Sequence, residues 1–343
     1  MGERDFPSAE RRKAKGKAPL RAAIVGAGLM GHWHARALAP AGAHLVGICD
    51  CDVGAARGIA RGAPVVIAGD IDELLDRVRP DVLHVCTPAE THAALAQRAL
   101  ETGIHVLVEK PLAPSAAETD RLLALARARG LLLYPVHQLA FQRWLPRVTR
   151  LGVLLSVDFA VCSAGASSRP GAEADRVVMD ILPHPLSLFE RVHPGSLKEI
   201  SWQVLRPRSG ELRASGVSRG TVFTLSISMN GRPPRNELIV TGEEGTLHAD
   251  LFHGFAVRES PRNSRGYKIA RPLALSARHF AAATWNLSRR ALRGETAYPG
   301  LRALVCSCYA HILDNEALPI PPSHALEVAR AREAIGREAG LSP

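Results

Sequence analysis

No run of roughly eighteen apolar residues occurs in the chain, which argues against a transmembrane helix. The start, Met1–Lys17, carries Arg11, Arg12, Lys13, Lys15 and Lys17. It lacks the apolar stretch that follows the charges of a secretory signal, so residues 1–19 read as a disordered basic tail. Cysteine is sparse: Cys49, Cys51, Cys86, Cys162, Cys306 and Cys308. The close pairs are C-x-C, not C-x-x-C, so no structural metal is expected and no disulfide is demanded. A reducing, cytoplasmic compartment is the expected one. Acidic charge is also short, with 33 Asp+Glu against 43 Lys+Arg and a formal charge of +10. That balance favours anionic partners. No helix-turn-helix, RNA-binding signature or zinc finger accompanies it, so nucleic acid is not among the expected partners.

The 343 residues are more than one ordinary core needs and suit two domains. At 46% hydrophobic and 22% charged, the chain has the balance of a globular protein. From Leu20 an apolar strand, Leu-Arg-Ala-Ala-Ile-Val, runs into Gly26-Ala27-Gly28-Leu29-Met30-Gly31, and a helical stretch follows through Leu38. Strand, Gly-x-Gly-x-x-Gly and helix together read as a dinucleotide fold. Gly26 allows the tight turn, Gly28 lets backbone approach a pyrophosphate, and Gly31 lets helix and strand pack closely. A second strand, His44–Cys49, ends in Asp50, about twenty residues beyond the turn, where a carboxylate can accept from ribose hydroxyls. A 2′-phosphate would be repelled there, so NAD is expected over NADP. Asp52 reads as the N-cap of a helix over Val53–Ala60.

Further strands follow at Val65–Ile67, Asp81–Cys86, Ile104–Val108 and Leu131–Val136, with a helix from about Thr91 to Leu100. Alternation of this kind implies a right-handed parallel sheet. Ligands of such sheets bind beyond the carboxyl ends of the strands, and Asp50, Thr87 and Lys110 all stand at such ends.

Three segments now resemble the glucose-fructose oxidoreductase, inositol dehydrogenase and rhizopine-catabolism (Gfo/Idh/MocA) family. They are Ala22–Gly31 with His34; Thr87-Pro88-Ala89-Glu90-Thr91-His92 running on to Gly103-Ile104-His105-Val106-Leu107-Val108-Glu109-Lys110-Pro111-Leu112; and Asp180-Ile181-Leu182-Pro183-His184. Weaker similarity covers Leu238–Leu247 and Leu318–Pro321 with the helix after it. The resemblance implies a Rossmann domain over 20–137 and, over 138–343, a substrate-binding and dimerisation α+β domain with a large, mostly antiparallel sheet. Strands are expected in that sheet at Leu154–Val161, Glu199–Leu205, Gly220–Met229, Glu237–Thr241 and Thr246–Leu251, from runs of Val, Leu, Ile, Thr and Phe.

By the same resemblance NAD lies along Gly26, Ala27, Gly28, Leu29, Met30, Gly31 and Asp50, with Thr87, Pro88, His92, Glu109 and Lys110 bordering it. The family commonly has a cis peptide where Lys110 precedes Pro111. Lys110 is expected to hydrogen-bond the reacting oxygen, and His184 to accept the alcohol proton, with Asp180 shaping its environment. Pro183 and Pro185 require a helix to start near His184, not to run through it. Ser187 stands where relatives often have an aspartate that helps bind substrate. His137 and Gln138 lie near the family's asparagine-arginine pair. Arg143 and Trp144 are either substrate contacts, by paired hydrogen bonds and stacking, or a solvated face and core.

The stretch Arg258–Arg293 is rich in arginine, interleaved with Phe280 and Trp285. It reads as a solvated face with core anchors, or alternatively as a phosphate-binding or membrane-surface element. The resulting expectation is an NAD-dependent oxidoreductase acting on a secondary alcohol of a sugar, cyclitol or nucleotide-sugar. The basic surface tilts it toward a phosphorylated or nucleotide-linked substrate, and the family toward a homo-oligomer, dimer or tetramer. Two rivals stand beside it: an enzyme that uses bound NAD transiently in elimination or hydrolysis, and a non-catalytic dinucleotide-binding regulator.

Overall fold

The computed structural model describes residues 18–163, 171–262 and 264–341; the basic stretch Met1–Lys17 lies outside them. By their contacts the described residues form two compact units, one of residues up to His137 with Leu301–Ala329, the other of Gln138–Gly300 with the residues from Arg330. The sequence assigns 301–329 to the second domain. Its contacts tie it to the first.

In the first unit β1 (Leu20–Val25), β2 (Ala43–Cys49), β3 (Val66–Ala68), β4 (Val82–Val85), β5 (His105–Val108) and β6 (Leu133–Pro135) alternate with helices. These are α1 (Leu29–Leu38), α2 (Val53–Ala60), α3 (Ile71–Val78), α4 (Ala89–Glu101) and α5 (Ala116–Ala128). All strand pairings are parallel, in the order β3-β2-β1-β4-β5-β6. That order is the doubly wound one, whose switch point lies between β1 and β4. Leu83, Leu100, Val106 and Leu122 are among the apolar side chains closing its core. The side chain of Asp52 caps α2, accepting from Gly54 and Ala55 N–H. Asp70 and Ser115 cap α3 and α5 in the same way, each worth about 1 kcal/mol.

The second unit carries β7 (Leu154–Cys162), two successive helices α6 (Ala172–Ile181) and α7 (Pro183–Val192), and then β8 (Gln203–Leu205). After these come β9 (Glu211–Ser218), β10 (Thr221–Ser228), β11 (Arg235–Gly242), β12 (Gly245–Asp250), β13 (Phe255–Glu259) and the long α8 (Arg265–Leu292). The sheet order is β13-β12-β11-β7-β10-β9-β8, antiparallel except for β7 beside β10. This is the α/β Rossmann domain plus mostly antiparallel α+β domain read from the sequence. Period-two alternation sorts the sheet: Val157, Phe159, Phe223, Leu225, Leu238, Val240 and Leu247 are buried, while Ser156, Asp158, Thr224 and Ile239 take the opposite face. Phe189 of α7 packs edge-on against Phe223 with ring centroids 5.1 Å apart. The remaining helices are α9 (Leu301–Asp314) and α10 (His324–Glu338).

One expectation is corrected here. Phe280 and Trp285 are not core anchors: both lie on α8 and are 75% and 72% exposed. The helix meets the sheet through polar side chains, leaving its large apolar ones outside.

Candidate functional site

The glycine turn is built by close approach. Gly26 takes φ +96°, and a side chain there would meet the Cys86 carbonyl at 2.6 Å. A Cβ on Gly31 would stand 2.0 Å from the Gly26 oxygen. Gly28 differs: a Cβ there would meet nothing within 4 Å. Gly28 is also the N-cap of α1, with no side chain capping it. The helix therefore offers its first N–H groups and the positive end of its dipole beside open space, as an anionic phosphate requires.

At the end of β2, Asp50 accepts from Ala27 N–H at 2.5 Å and from Asp52 N–H at 2.8 Å. Burial opposes its ionisation, but those backbone donors outweigh it and hold the carboxyl below the usual range. Asp50 is thus a charged acceptor braced against the glycine turn. The residues fit an NAD: the α1 N-terminus with Gly26–Gly31 would hold its phosphates, and Asp50 its adenosine ribose.

The ends of β4 and β5 are joined beneath the surface. Thr87 Oγ1 lies 2.7 Å from Thr91 Oγ1. His92 is buried, with one ring nitrogen 2.8 Å from the Thr87 carbonyl and the other 2.7 Å from the Pro111 carbonyl. It ties Thr87–Pro88 to the Lys110–Pro111 segment, whose peptide is cis. Glu109 is buried as well. One carboxylate oxygen stands 3.2 Å from His34 Nε2, and the other accepts from Lys110 N–H at 3.3 Å. His34 Nδ1 meets His84 Nδ1 at 2.6 Å, and His84 Nε2 meets the Tyr309 hydroxyl at 2.8 Å. Every member is satisfied when Tyr309 donates to His84, His84 to His34, and His34 to Glu109. The sequence does not single out His84 or Tyr309. The only available signal is a histidine inside the buried run Val82-Leu83-His84-Val85.

His137 is buried, and its pKa is pushed down to about 3 by burial, then by Lys110 and His324. It is a neutral imidazole near the Lys110 cation. Lys110 itself is partly exposed at the carboxyl end of β5.

In the second unit α6 ends at Ile181 and α7 begins at Pro183, so His184 occupies the first turn of a new helix, as the prolines require. Asp180 closes α6, and the buried Arg332 of α10 lies within its electrostatic reach. Ser187 is buried and donates to the His184 carbonyl at 2.9 Å, its own helix's preceding turn. An anchor not foreseen is Asp175. It accepts from Arg206 Nη2 at 2.5 Å and Gly210 N–H at 2.9 Å, which fixes α6. Gln138 is buried, and its Oε1 has no hydrogen-bond partner among the described residues. Arg143 is exposed. Trp144 is corrected from a stacking surface to core: it is 2% exposed and donates to Gln142 Oε1 at 2.6 Å.

Residues 20–137 match the oxidoreductase family model described as having an NAD-binding Rossmann fold. Through these residues the chain belongs to the Gfo/Idh/MocA oxidoreductase family. Among similar sequences, inositol 2-dehydrogenase 1 of Saccharopolyspora erythraea is 40% identical over 115 residues, 32% of this chain and 34% of that enzyme. The match thus spans about a third of that relative. The UDP-N-acetylglucosamine 3-dehydrogenase of Acidithiobacillus ferrooxidans is 25% identical over 240 residues, 68% of this chain and 75% of that one. Its solved structure superposes with a TM-score of 0.73 at 18% identity, covering 95% of this chain and 100% of that one. The Bordetella pertussis WlbA dehydrogenase, solved with NADH and UDP-GlcNAcA, gives 0.71 at 19% identity, covering 94% and 96%. These superpositions establish that the family's two-sheet fold extends over nearly the whole chain.

Proposed function

We propose that this protein is an NAD-dependent dehydrogenase acting on a secondary alcohol of a sugar, cyclitol or nucleotide-linked sugar. The observation that carries the reading is the uncapped α1 N-terminus at Gly28, facing open space beside the ionised Asp50. NAD, when bound, supplies the hydride acceptor. The chain's own groups do the rest. Lys110 is the hydrogen-bond donor to the reacting oxygen, and neutral His137 keeps a second cation away from it. His184 is the proton acceptor, with Asp180 shaping its surroundings. Gln138 and Arg143 remain substrate candidates, the first through its unpartnered buried oxygen.

Among substrates a nucleotide-linked sugar is favoured. The surface is basic, and a relative aligned over 68% of this chain is named for acting on UDP-N-acetylglucosamine. A cytoplasmic homo-oligomer is part of the same proposal, supported by exposed Val217, Val222 and Ile239 on the second unit's sheet. No described helix is long and apolar enough to cross a membrane. The test is NADH absorbance from pure protein, NAD and a panel of UDP-sugars, sugar phosphates, free sugars and cyclitols. A signal with one class, lost in Lys110→Ala and in His184→Ala, supports the reading; silence across the panel despite NAD binding counts against it.

A further inference from the structure

We propose that α8 docks the protein on an anionic phospholipid surface. The helix is 28 residues long, about 42 Å at 1.5 Å per residue. A surface helix ordinarily turns its apolar stripe to the core, and α8 does the reverse. Its polar side faces the protein. His279 packs against His248 and Phe255, Tyr267 and Arg271 reach Glu259 of β13, and Asn286 and Arg290 donate to the His253 carbonyl. On the other side Ile269, Leu273, Phe280 and Leu287 are 77%, 79%, 75% and 70% exposed. At 3.6 residues per turn these four fall within about 40° of one another, so they form one continuous row. Trp285 and Leu292, also exposed, widen it on one flank.

Charge decides what covers this row. The helix carries Arg265, Lys268, Arg271, Arg278, Arg289 and Arg290 and no acidic residue. Glu259 answers Arg271; no carboxylate on α8 answers any of the others. Laying a second copy of α8 along the first would bring two cationic helices together, the opposite of the paired charges that flank helix–helix seams. An anionic bilayer answers both features at once. The apolar row enters the boundary between headgroups and acyl chains, while the arginines and lysine beside it meet lipid phosphates. The formal charge of +10 adds attraction of the same sign.

The test is flotation of the full-length protein with vesicles of phosphatidylcholine alone and of phosphatidylcholine mixed with phosphatidylglycerol. The expected result is about tenfold or greater enrichment on the phosphatidylglycerol vesicles, weakening with salt, with a blue shift of emission that Trp285→Phe abolishes. Phe280→Ser combined with Leu287→Ser alters exposed side chains only. It should leave NADH binding intact and reduce flotation about tenfold or more. Absence of flotation overturns the proposal. So does flotation that survives the double substitution, which would assign the attraction to another basic segment. A wild-type oligomer that the double substitution dissociates would assign the face to a second copy and overturn it equally.

Discussion

His34 and His84 meet nitrogen to nitrogen at 2.6 Å in the interior of the first unit, and this contact links α9 to the catalytic end of β5. The chain runs from Tyr309 through both imidazoles to Glu109, whose second oxygen holds the Lys110 N–H. A buried chain of this kind is stable only when each member is paired. Tyr309→Phe leaves His84 Nε2 without its partner and should cost about 1–3 kcal/mol. Urea unfolding with an unchanged slope and a lower midpoint would show it; an unchanged midpoint would mean the chain is not needed.

Acid sensitivity follows from two histidines. Burial, and then the neighbouring His34, hold His84 well below its ordinary pKa. His137 falls from 6.5 to about 3. Both folded values lie below the unfolded ones, so the unfolded chain takes up these protons first. Their stabilisation is complete above about pH 6.5 and is lost as pH falls toward the folded values. Each contributes a slope of about 1.4 kcal/mol per pH unit in that window. His137→Gln should flatten the stability profile between about pH 6 and 5 by one proton's worth; an equal slope in both proteins would refute the assignment.

The glycine turn separates folding from binding. Gly31→Ala drives a methyl to 2.0 Å from the Gly26 oxygen and should destabilise by about 3 kcal/mol or more. Gly28→Ala meets nothing within 4 Å, at an ordinary φ of −72°. It should leave the melting temperature near that of wild type while NADH affinity falls on the order of tenfold, because the methyl fills space meant for phosphate. Equal NADH affinity in Gly28→Ala would show that the cradle is not used.

Asp175 anchors the helix that carries Asp180. Burial opposes its charge, but Arg206 and Gly210 N–H hold its pKa low. Asp175→Asn keeps the shape and removes the charge, at a cost of about 2 kcal/mol. The ionic contribution is present above the ordinary carboxylate pKa and disappears as pH falls through the lowered folded value. Wild type and variant should therefore converge in stability under strong acid, and a gap independent of pH would contradict the pairing.

The parallel half of the fold is legible because its strands are continuous apolar runs that stop at Gly26, Asp50, Thr87 or Lys110. A chain buried on both faces writes itself in this way. Much of the second sheet is less so. In β9, Arg213-Ala214-Ser215-Gly216 alternates in burial without β-branched residues, and Gly216 is there because a side chain would stand 2.3 Å from Ile200. The run from Glu199 enters the sheet only at Gln203–Leu205. In α8, Gly266 and Pro272 read as breakers, and the apolar periodicity points away from any core. The partner of His84 lies 225 residues further on, a separation across which sequence carries no local signal.

The central claim is net hydride transfer, and an isotope tests it most directly. A nucleotide-sugar deuterated at the carbinol carbon would be incubated with NAD and protein. The account predicts deuterium on the nicotinamide of released NADH, and none after Lys110→Ala. Deuterium retained in a rearranged or cleaved product, with no NADH released, would contradict it.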